Sequence, residues 1–547
     1  MARTLLPLLL AWQLLRRDAF LGPRARGRGA EAESRFRVVR RVRERRGSAG
    51  RPARDKPGRS LDGYTHPKVI TKKIMEAPSA SEVLGVVRQE RNNPKLDFIA
   101  LSAAWARMAK MQASISAEVL SDPFLPDLIR LTRDGAGRAG VEAERNARAV
   151  ANTYWAAAKL DKRMHSLVAN LQSSLTQAAK QTANHMDEQE VANVIWAAAK
   201  LSEARDDSLL AVLPTLVVRA KEVSSDMNAQ AVANMIWAAA KLSEAGDDSV
   251  LAMLPTLVVR SKEVSSDMNA QAVANMIWAA AKLSEAGDDS VLAMLPTLVV
   301  RSKEVSSDMN AQEVANVIWA AAKLSEARDD SLLAVLPTLV VRAKEVSSDM
   351  NAQAVANMIW AAAKLSEAGD DSVLAMLPTL VVRSKEVSSD MNAQEVANVI
   401  WAAAKLSEAR DDSLLAVLPT LVVRAKEVSS DMNAQAVANM IWAAAKLSEA
   451  GDDSVLAMLP TLVVRSKEVS SDMNAQEVAN VIWAAAKLSE AGDDSLLAVL
   501  PTLVLRAKEV RSYMNAQGVA SIRWALKRLE GDASIADVLA PLQRVVR

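Results

Sequence analysis

Residues 227–267 read MNAQAVANMIWAAAKLSEAGDDSVLAMLPTLVVRSKEVSSD, and near-copies of this phrase fill most of the chain. Its tryptophan returns every 41 residues, as Trp155, Trp196, Trp237, Trp278, Trp319, Trp360, Trp401, Trp442, Trp483 and Trp524. A fixed period of this size marks a solenoid. One repeat supplies a unit too small to bury its own apolar face, and stacked neighbours complete a shared core. The period therefore predicts an all-α fold, an α-solenoid of tandem two-helix repeats wound into a superhelix. It also moves the functional question to whatever repeats on the exposed face.

Each phrase reads as two helices, A and B. Asn228 is placed to cap an A helix running from about Ala229 to Ser243, because its side-chain oxygen can take a first-turn N–H. In copies such as Asn310-Ala-Gln-Glu313 the glutamate adds a capping-box partner. Gly246 lies just past the end, where a left-handed residue closes a helix. Asp247 or Asp248 then opens a B helix, VLAMLPTLVVRSKEV. Pro255 predicts a kink in that helix or its division into two pieces. The B helix is apolar nearly all round up to Arg260, which predicts that it is the more buried layer.

Projected at about 100° per residue, Val232, Ile236 and Ala239 centre the A face that meets B. Met235, Ala238, Ala240 and Ala233 flank it and are small or pliable enough for neighbouring A helices to approach. Opposite lie Gln230, Asn234, Trp237 and Lys241, within roughly 60° of arc. The same four types recur as Gln189, Asn193, Trp196 and Lys200; Gln271, Asn275, Trp278 and Lys282; Gln312, Asn316, Trp319 and Lys323; and Gln353, Asn357, Trp360 and Lys364. They continue as Gln394, Asn398, Trp401 and Lys405; Gln435, Asn439, Trp442 and Lys446; and Gln476, Asn480, Trp483 and Lys487. Together they suit single-stranded RNA: amides pair with base edges, tryptophan offers a stacking platform, and lysine meets phosphate. None of the acidic residues is expected on this stripe; they are placed in the loops and near the end of B. A packing reading stands beside the ligand reading: the tryptophan can instead wedge between A helices, and an asparagine ladder can tie repeats together.

The chain of 547 residues has a net charge of only +2, but the charge is unevenly spread. Across residues 1–70, 18 Lys/Arg stand against 6 Asp/Glu, whereas the repeat 227–267 carries −2. Residues 5–15 (LLPLLLAWQLL) are too short to span a bilayer but suit a signal-peptide core. The arginine-rich, acid-poor stretch that follows reads as a transit peptide to a mitochondrion or plastid, and the pair fits the two-part leader of a complex plastid. A basic nucleic-acid-binding arm is the competing reading. In either case residues 1–66 are expected to be a disordered leader, and no stable membrane insertion of the mature chain is expected. Residues 67–134 read as divergent helical repeats, 135–140 (within DGAGRAG) as a flexible joint, and 141–547 as the regular array ending in a C-terminal cap.

There is no cysteine, and His66, His165 and His185 fall outside the repeated phrase, so no metal or other cofactor is expected. The phrase also holds no nucleophile–base pair or phosphate loop, which argues against an enzyme.

The residues NAQEVANVIWAAAKL closely resemble the octotricopeptide-repeat signature, in which Gln, Asn, Trp and an Ala-Lys-Leu ending recur in that order. ITKKIMEAPSASEVLGVV is similar to the opening region of these proteins and of their FAST-kinase-like, RAP-domain relatives. The resemblance implies an organellar RNA-binding protein acting in transcript processing, stability or translation, with contacts on the A helices around Gln230, Asn234 and their equivalents. The period here exceeds the one that gives that family its name. The last repeat also departs from the pattern, with Ser521 for Asn and Arg523 before Trp524. No counterpart of the family's RAP module is seen; the sequence ends in IADVLAPLQRVVR, read as a capping helix, and this removes the main reason to expect catalysis.

The copies are of two types. One carries Glu313, Val317, Arg328 and Ala343; the other has Ala231, Met235, Gly246 and Ser261 at the matching positions. The differences spare the Gln-Asn-Trp-Lys stripe, so a homopolymeric or low-complexity RNA tract is the expected ligand, with other RNA-processing proteins as further partners. The alternative is a helical scaffold for protein–protein interaction, favoured by the acidic repeats and the lack of a dense cationic groove.

Overall fold

The computed structural model describes residues 64–202 and 210–529, together with Ala540, Leu542 and Gln543. The signal-like and transit-like readings of the leader therefore lie outside the described residues, as does most of the expected capping helix. Every regular element among the described residues is a helix, and the bulk of them form an α-solenoid. No described helix is long and apolar enough to cross a membrane. Two compact units divide the chain at Gly135.

The first unit is built from Pro67–Glu76, Ala80–Gln89, Phe98–Lys110 and Leu125–Ala136, with a short helix at Ala117–Leu120. Ser79 and Asp97 cap their helices through side-chain oxygens that accept N–H groups of Glu82 and Ala100. Trp105 is fully buried, and its indole N–H donates to Thr132 Oγ1 at 2.8 Å. Thr132 in turn donates to the carbonyl of Leu128 at 2.7 Å, so no polar atom of the pair is left unmet. Residues 134–140 comprise the end of Leu125–Ala136 and the start of a 3-10 turn at Ala139–Glu142.

The array opens with a single helix, Ala143–Thr182, in which A and B run together across a kink at Met164, where φ is −133°. This copy lacks the Gly-Asp-Asp loop that separates the helices elsewhere. From there A and B alternate, as in Ala229–Glu244 with Leu254–Glu263, Ala270–Glu285 with Leu295–Val305, and Ala311–Glu326 with Leu336–Glu345. Asn228 Oδ1 accepts the Ala231 N–H at 2.9 Å, and the capping box expected at Asn310 and Glu313 is formed in both directions. Gly246 takes φ 87°, whereas the other repeat type places Arg328 and Arg410 there at φ 64° and 66°. Proline divides rather than bends: Pro255 stands in the first turn of Leu254–Glu263, after a 3-10 turn at Leu251–Met253. There its missing N–H costs nothing, because first-turn N–H groups have no helical partner.

The relative burial of the layers is the reverse of what the sequence predicts. Ala229–Glu244 buries 12 of its 16 residues and Leu254–Glu263 only 4 of 10, so A is the more buried layer. Each A helix packs directly on both neighbouring A helices as well as on B, with alanines allowing the close approach, while B helices reach the next repeat mainly through 3-10 turns. The stack is tighter on the A side, which makes A the inner layer. On the outer face Val218, Val259, Val300, Val341, Val382, Val423, Val464 and Leu505 stay about 60% exposed.

An arginine closes each repeat. Arg260 Nε donates to the carbonyl of Met227 at 2.9 Å, tying the end of B to the residue before the A cap, while its other arm bonds Glu263. The same bond recurs from Arg219–Met186 to Arg506–Met473.

Candidate nucleic-acid interface

The cap fixes where each A helix starts, and the start fixes the phase of the stripe. Gln lies in the first turn, Asn one turn on, Trp near the middle and Lys near the end. The structure brings all four together on the inner layer in every repeat, but their surroundings differ.

The amides form the more open part. Gln230 and Gln189 are exposed, and Gln271, Gln312, Gln353, Gln394 and Gln476 half-buried. Gln230 Nε2 donates to Asn234 Oδ1 at 2.9 Å, a contact repeated at Gln312–Asn316, Gln394–Asn398 and Gln476–Asn480. The bond uses one donor and one acceptor of the four groups that two amides carry, and the rest are not all open: Gln394 Oε1 is buried without a hydrogen-bond partner. Cap residues join in: Asn351 Nδ2 approaches Gln312 Oε1, and Asn515 Nδ2 approaches Gln476 Oε1, each at 3.4 Å across the repeat boundary. Asn357 is buried, while Asn193, Asn234 and Asn316 are half-buried.

Among the described residues, tryptophans pack on one another at five joints, Trp196–Trp237, Trp237–Trp278, Trp319–Trp360, Trp401–Trp442 and Trp483–Trp524. Ring centroids are 6.4 Å apart for Trp196–Trp237 and for Trp319–Trp360, with planes tilted by 34°. At that separation two indoles touch and leave no slot for a base between them. Trp237, Trp278 and Trp319 are only 6–7% exposed, while Trp196, Trp360, Trp401, Trp442 and Trp483 are half-buried. Lysine of the preceding repeat covers the ring further: Lys241 Nζ lies 4.6 Å from the Trp278 ring centre, and Lys364 Nζ lies 4.8 Å from that of Trp401. In these pairs tryptophan takes the packing role, a wedge between A helices.

The lysines hold the chief surprise. The A helix continues one residue past Ser243, so Glu244 stands three residues after Lys241, on the same face. The expectation that acidic residues avoid the stripe is thereby overturned. Lys282 Nζ bridges Glu244 Oε1 at 3.1 Å and Glu285 Oε2 at 3.0 Å. The pattern repeats through Lys323–Glu285, Lys364–Glu326, Lys405–Glu367, Lys446–Glu408 and Lys487–Glu449, and ends at Arg528–Glu490. Burial pushes the Glu244 and Glu285 carboxyls up, but the lysines on either side outweigh it and hold both below their ordinary range. Burial likewise pulls Lys282 down, and the flanking glutamates more than restore it, raising it above the usual lysine range. The capping glutamates Glu313, Glu395 and Glu477 are raised by burial, only partly offset by the hydrogen bonds at their caps. The inner stripe is thus an electrically balanced zipper beside a row of amides. Among the described residues no cluster of three His, Asp or Glu side chains could hold a metal ion.

The zipper was half legible, since the Lys241–Glu244 spacing stands in the sequence; its other half joins residues 38 apart that only the stacking brings together. The Arg260–Met227 clamp carried no motif, and the outer valine row only the phase of Val259 relative to its helix.

Helix pairs stacked in one direction, with an unchanging polar stripe on the inner layer, define a helical-repeat protein of the α-solenoid class. The sequence model of the RNA-editing substrate-binding complex 6 protein family matches residues 173–495, and the chain belongs to this family. The match covers the repeats that carry the amide stripe and marks an RNA-associated repeat protein. No curated protein matches the chain.

Proposed function

We propose that this protein binds single-stranded RNA along its inner A-helix layer and serves organellar transcript processing as a non-catalytic subunit. The observation that carries the proposal is the row of Gln–Asn amides, one pair per repeat, on a stripe whose lysines are neutralised. Amides paired with base edges then supply the affinity, and phosphate contacts little of it. The family's name supports an RNA-editing role in company with other proteins, and the octotricopeptide signature in the repeated phrase supports RNA as the ligand. The arginine-rich leader supports a mitochondrion or plastid as the place of action; fusing residues 1–66 to a fluorescent protein tests this, and diffuse cytosolic signal would refute it.

RNA binding is tested by fluorescence anisotropy of the full chain with labelled single-stranded RNA. Replacing Gln271, Asn275, Gln312 and Asn316 together by Ala is expected to weaken binding by about tenfold or more, since good bidentate amide–base contacts are each worth roughly 1–3 kcal/mol. Val259→Ala with Val300→Ala on the outer face is expected to leave it unchanged. Equal binding by both variants and the parent sinks the proposal.

A second reading, a scaffold for protein partners, draws on the exposed outer row from Val218 to Leu505. A repeating apolar row of this kind suits an apolar segment of another subunit of a complex, and it leaves the inner layer free for RNA.

A further inference from the structure

We infer that the inner layer takes an RNA tract in which one base recurs, about eight nucleotides long; the inference rests on the RNA reading above. The two repeat types differ at Glu313 against Ala354, Val317 against Met358, Leu332 against Val373, Val335 against Met376 and Ala343 against Ser384, and all ten residues are buried. The exposed difference, Arg328 against Gly369, lies in the loop between A and B rather than on the A layer. From the ligand's side the two types therefore carry the same four residue types, with the Gln–Asn bond formed at Gln312, Gln394 and Gln476 of one type and at Gln230 of the other. The joints between neighbours repeat as well: from Lys282–Glu244 to Lys487–Glu449 each lysine reaches the glutamate of the preceding repeat at 2.7–3.1 Å, and from Lys200 to Lys487 each lies 4.6–5.0 Å from the ring centre of the next tryptophan. A surface that repeats itself by the same step offers each nucleotide the same donors and acceptors, and so cannot prefer different bases at successive steps.

The run has two ends. Gln, Asn, Trp and Lys occur together in eight consecutive repeats, from Gln189 to Lys487. Arg148 stands at the Gln position of the repeat before them, and Ser521 and Arg528 replace Asn and Lys in the repeat after. Helical readers that take one base per repeat set the tract length at about eight. Because the lysines are paired with glutamates, the tract is chosen by its base edges, and binding responds little to salt.

The test is anisotropy of the full chain with 12-nucleotide RNAs: the four homopolymers and four mixed sequences. Any contribution of the basic leader is blind to sequence and drops out of the comparison. One homopolymer is expected to bind at least about tenfold tighter than every mixed sequence, and lengthening it beyond about eight nucleotides to add little. The advantage of that homopolymer over the mixed sequences is expected to change little with salt, far less than the roughly −0.7 in log–log slope per contacted phosphate that phosphate-bound single strands show. Equal binding of homopolymers and mixed sequences, or tightest binding of a mixed one, overturns this inference and leaves the RNA reading standing. Absence of binding to any RNA overturns both.

Discussion

Along the A layer each repeat grips the next through alanine flanks and lysine–glutamate bridges, with indole contacts at several joints, whereas the B layer meets its neighbours through 3-10 turns and leaves a valine, or in the last pair Leu505, in solvent. One period thus produces two kinds of surface. The layer that holds the stack together is also the one that presents the amides, so cohesion and recognition share the same helices. The outer layer closes each repeat on itself, by the Arg–Met clamp, and contributes less to the joint between repeats.

The largest effect that tests this contrast comes from truncating one residue in each layer. Trp278→Ala removes a side chain that is 94% buried and touches its neighbour, and is expected to cost about 3–5 kcal/mol. Val300→Ala, at a position 59% exposed, is expected to stay within about 0.5 kcal/mol. Urea unfolding followed by circular dichroism measures both. Because a repeat array is held together by nearest-neighbour joints, Trp278→Ala is also expected to broaden the transition as the two halves uncouple. Similar losses for the two variants would remove the distinction between layers.

Next in size is the clamp. Arg301 Nε donates to the carbonyl of Met268 at 2.8 Å from a largely buried side chain. Arg301→Ala strands that carbonyl and is expected to cost about 1–3 kcal/mol, while Lys303→Ala on the exposed side of the same helix is expected to cost almost nothing. A small effect from Arg301→Ala would mean that the outer layer does not depend on closing each repeat.

These contrasts also explain what the sequence could and could not disclose. The caps were legible because Asn228, Asn310 and Glu313 act within one turn of their own helix. The break at Pro255 was legible for the same local reason. The ranking of the layers was not, because apolar residues such as Val259 reveal exposure only once it is known which helices stand side by side. Phase carried a hint: Leu254, Leu257, Val258 and Ser261 follow one helical stripe, and Val259 falls off it. The glutamates were misplaced because their second partner lies in the next repeat; Glu244 reaches Lys282 only through the stacking of whole A helices.

A smaller effect follows from the zipper's titration. Glu244, Glu285, Glu367 and Glu449 are held below 4.5, so their contribution is present above that pH and is lost as pH falls through their folded values. Lys282, Lys364 and Lys446 are raised above 10.5, so theirs is present below that pH and is lost as pH rises through their folded values. Glu313, Glu395 and Glu477 run the other way: raised above 4.5, they favour the folded state most in acid and so soften the acid limb. The melting temperature is therefore expected to form a plateau across neutral pH with a steeper alkaline fall. Replacing Lys282, Lys364 and Lys446 by Gln is expected to flatten that alkaline fall, and an unchanged profile would show that the zipper contributes no stability.

The smallest effect concerns the one exposed position at which the repeat types differ. Arg328 holds φ 64°, a conformation that costs an L-residue about 1–2 kcal/mol, while glycine in its place adds about 0.5–1 kcal/mol of backbone entropy to the unfolded chain. Arg328→Gly is therefore expected to stabilise the array by a few tenths to about 1 kcal/mol, read as a rise in melting temperature. Gly369→Ala is the mirror experiment. A Cβ there meets nothing within 4 Å, so any loss comes from its φ of 91° and from nothing the side chain touches. Since this loop stands apart from the amide stripe, both changes are expected to leave RNA affinity where it was. A fall in stability with Arg328→Gly would show that the arginine is kept for a contact worth more than its strain, and would make the loop edge, alone among the exposed surfaces, one on which the two repeat types differ in what they hold.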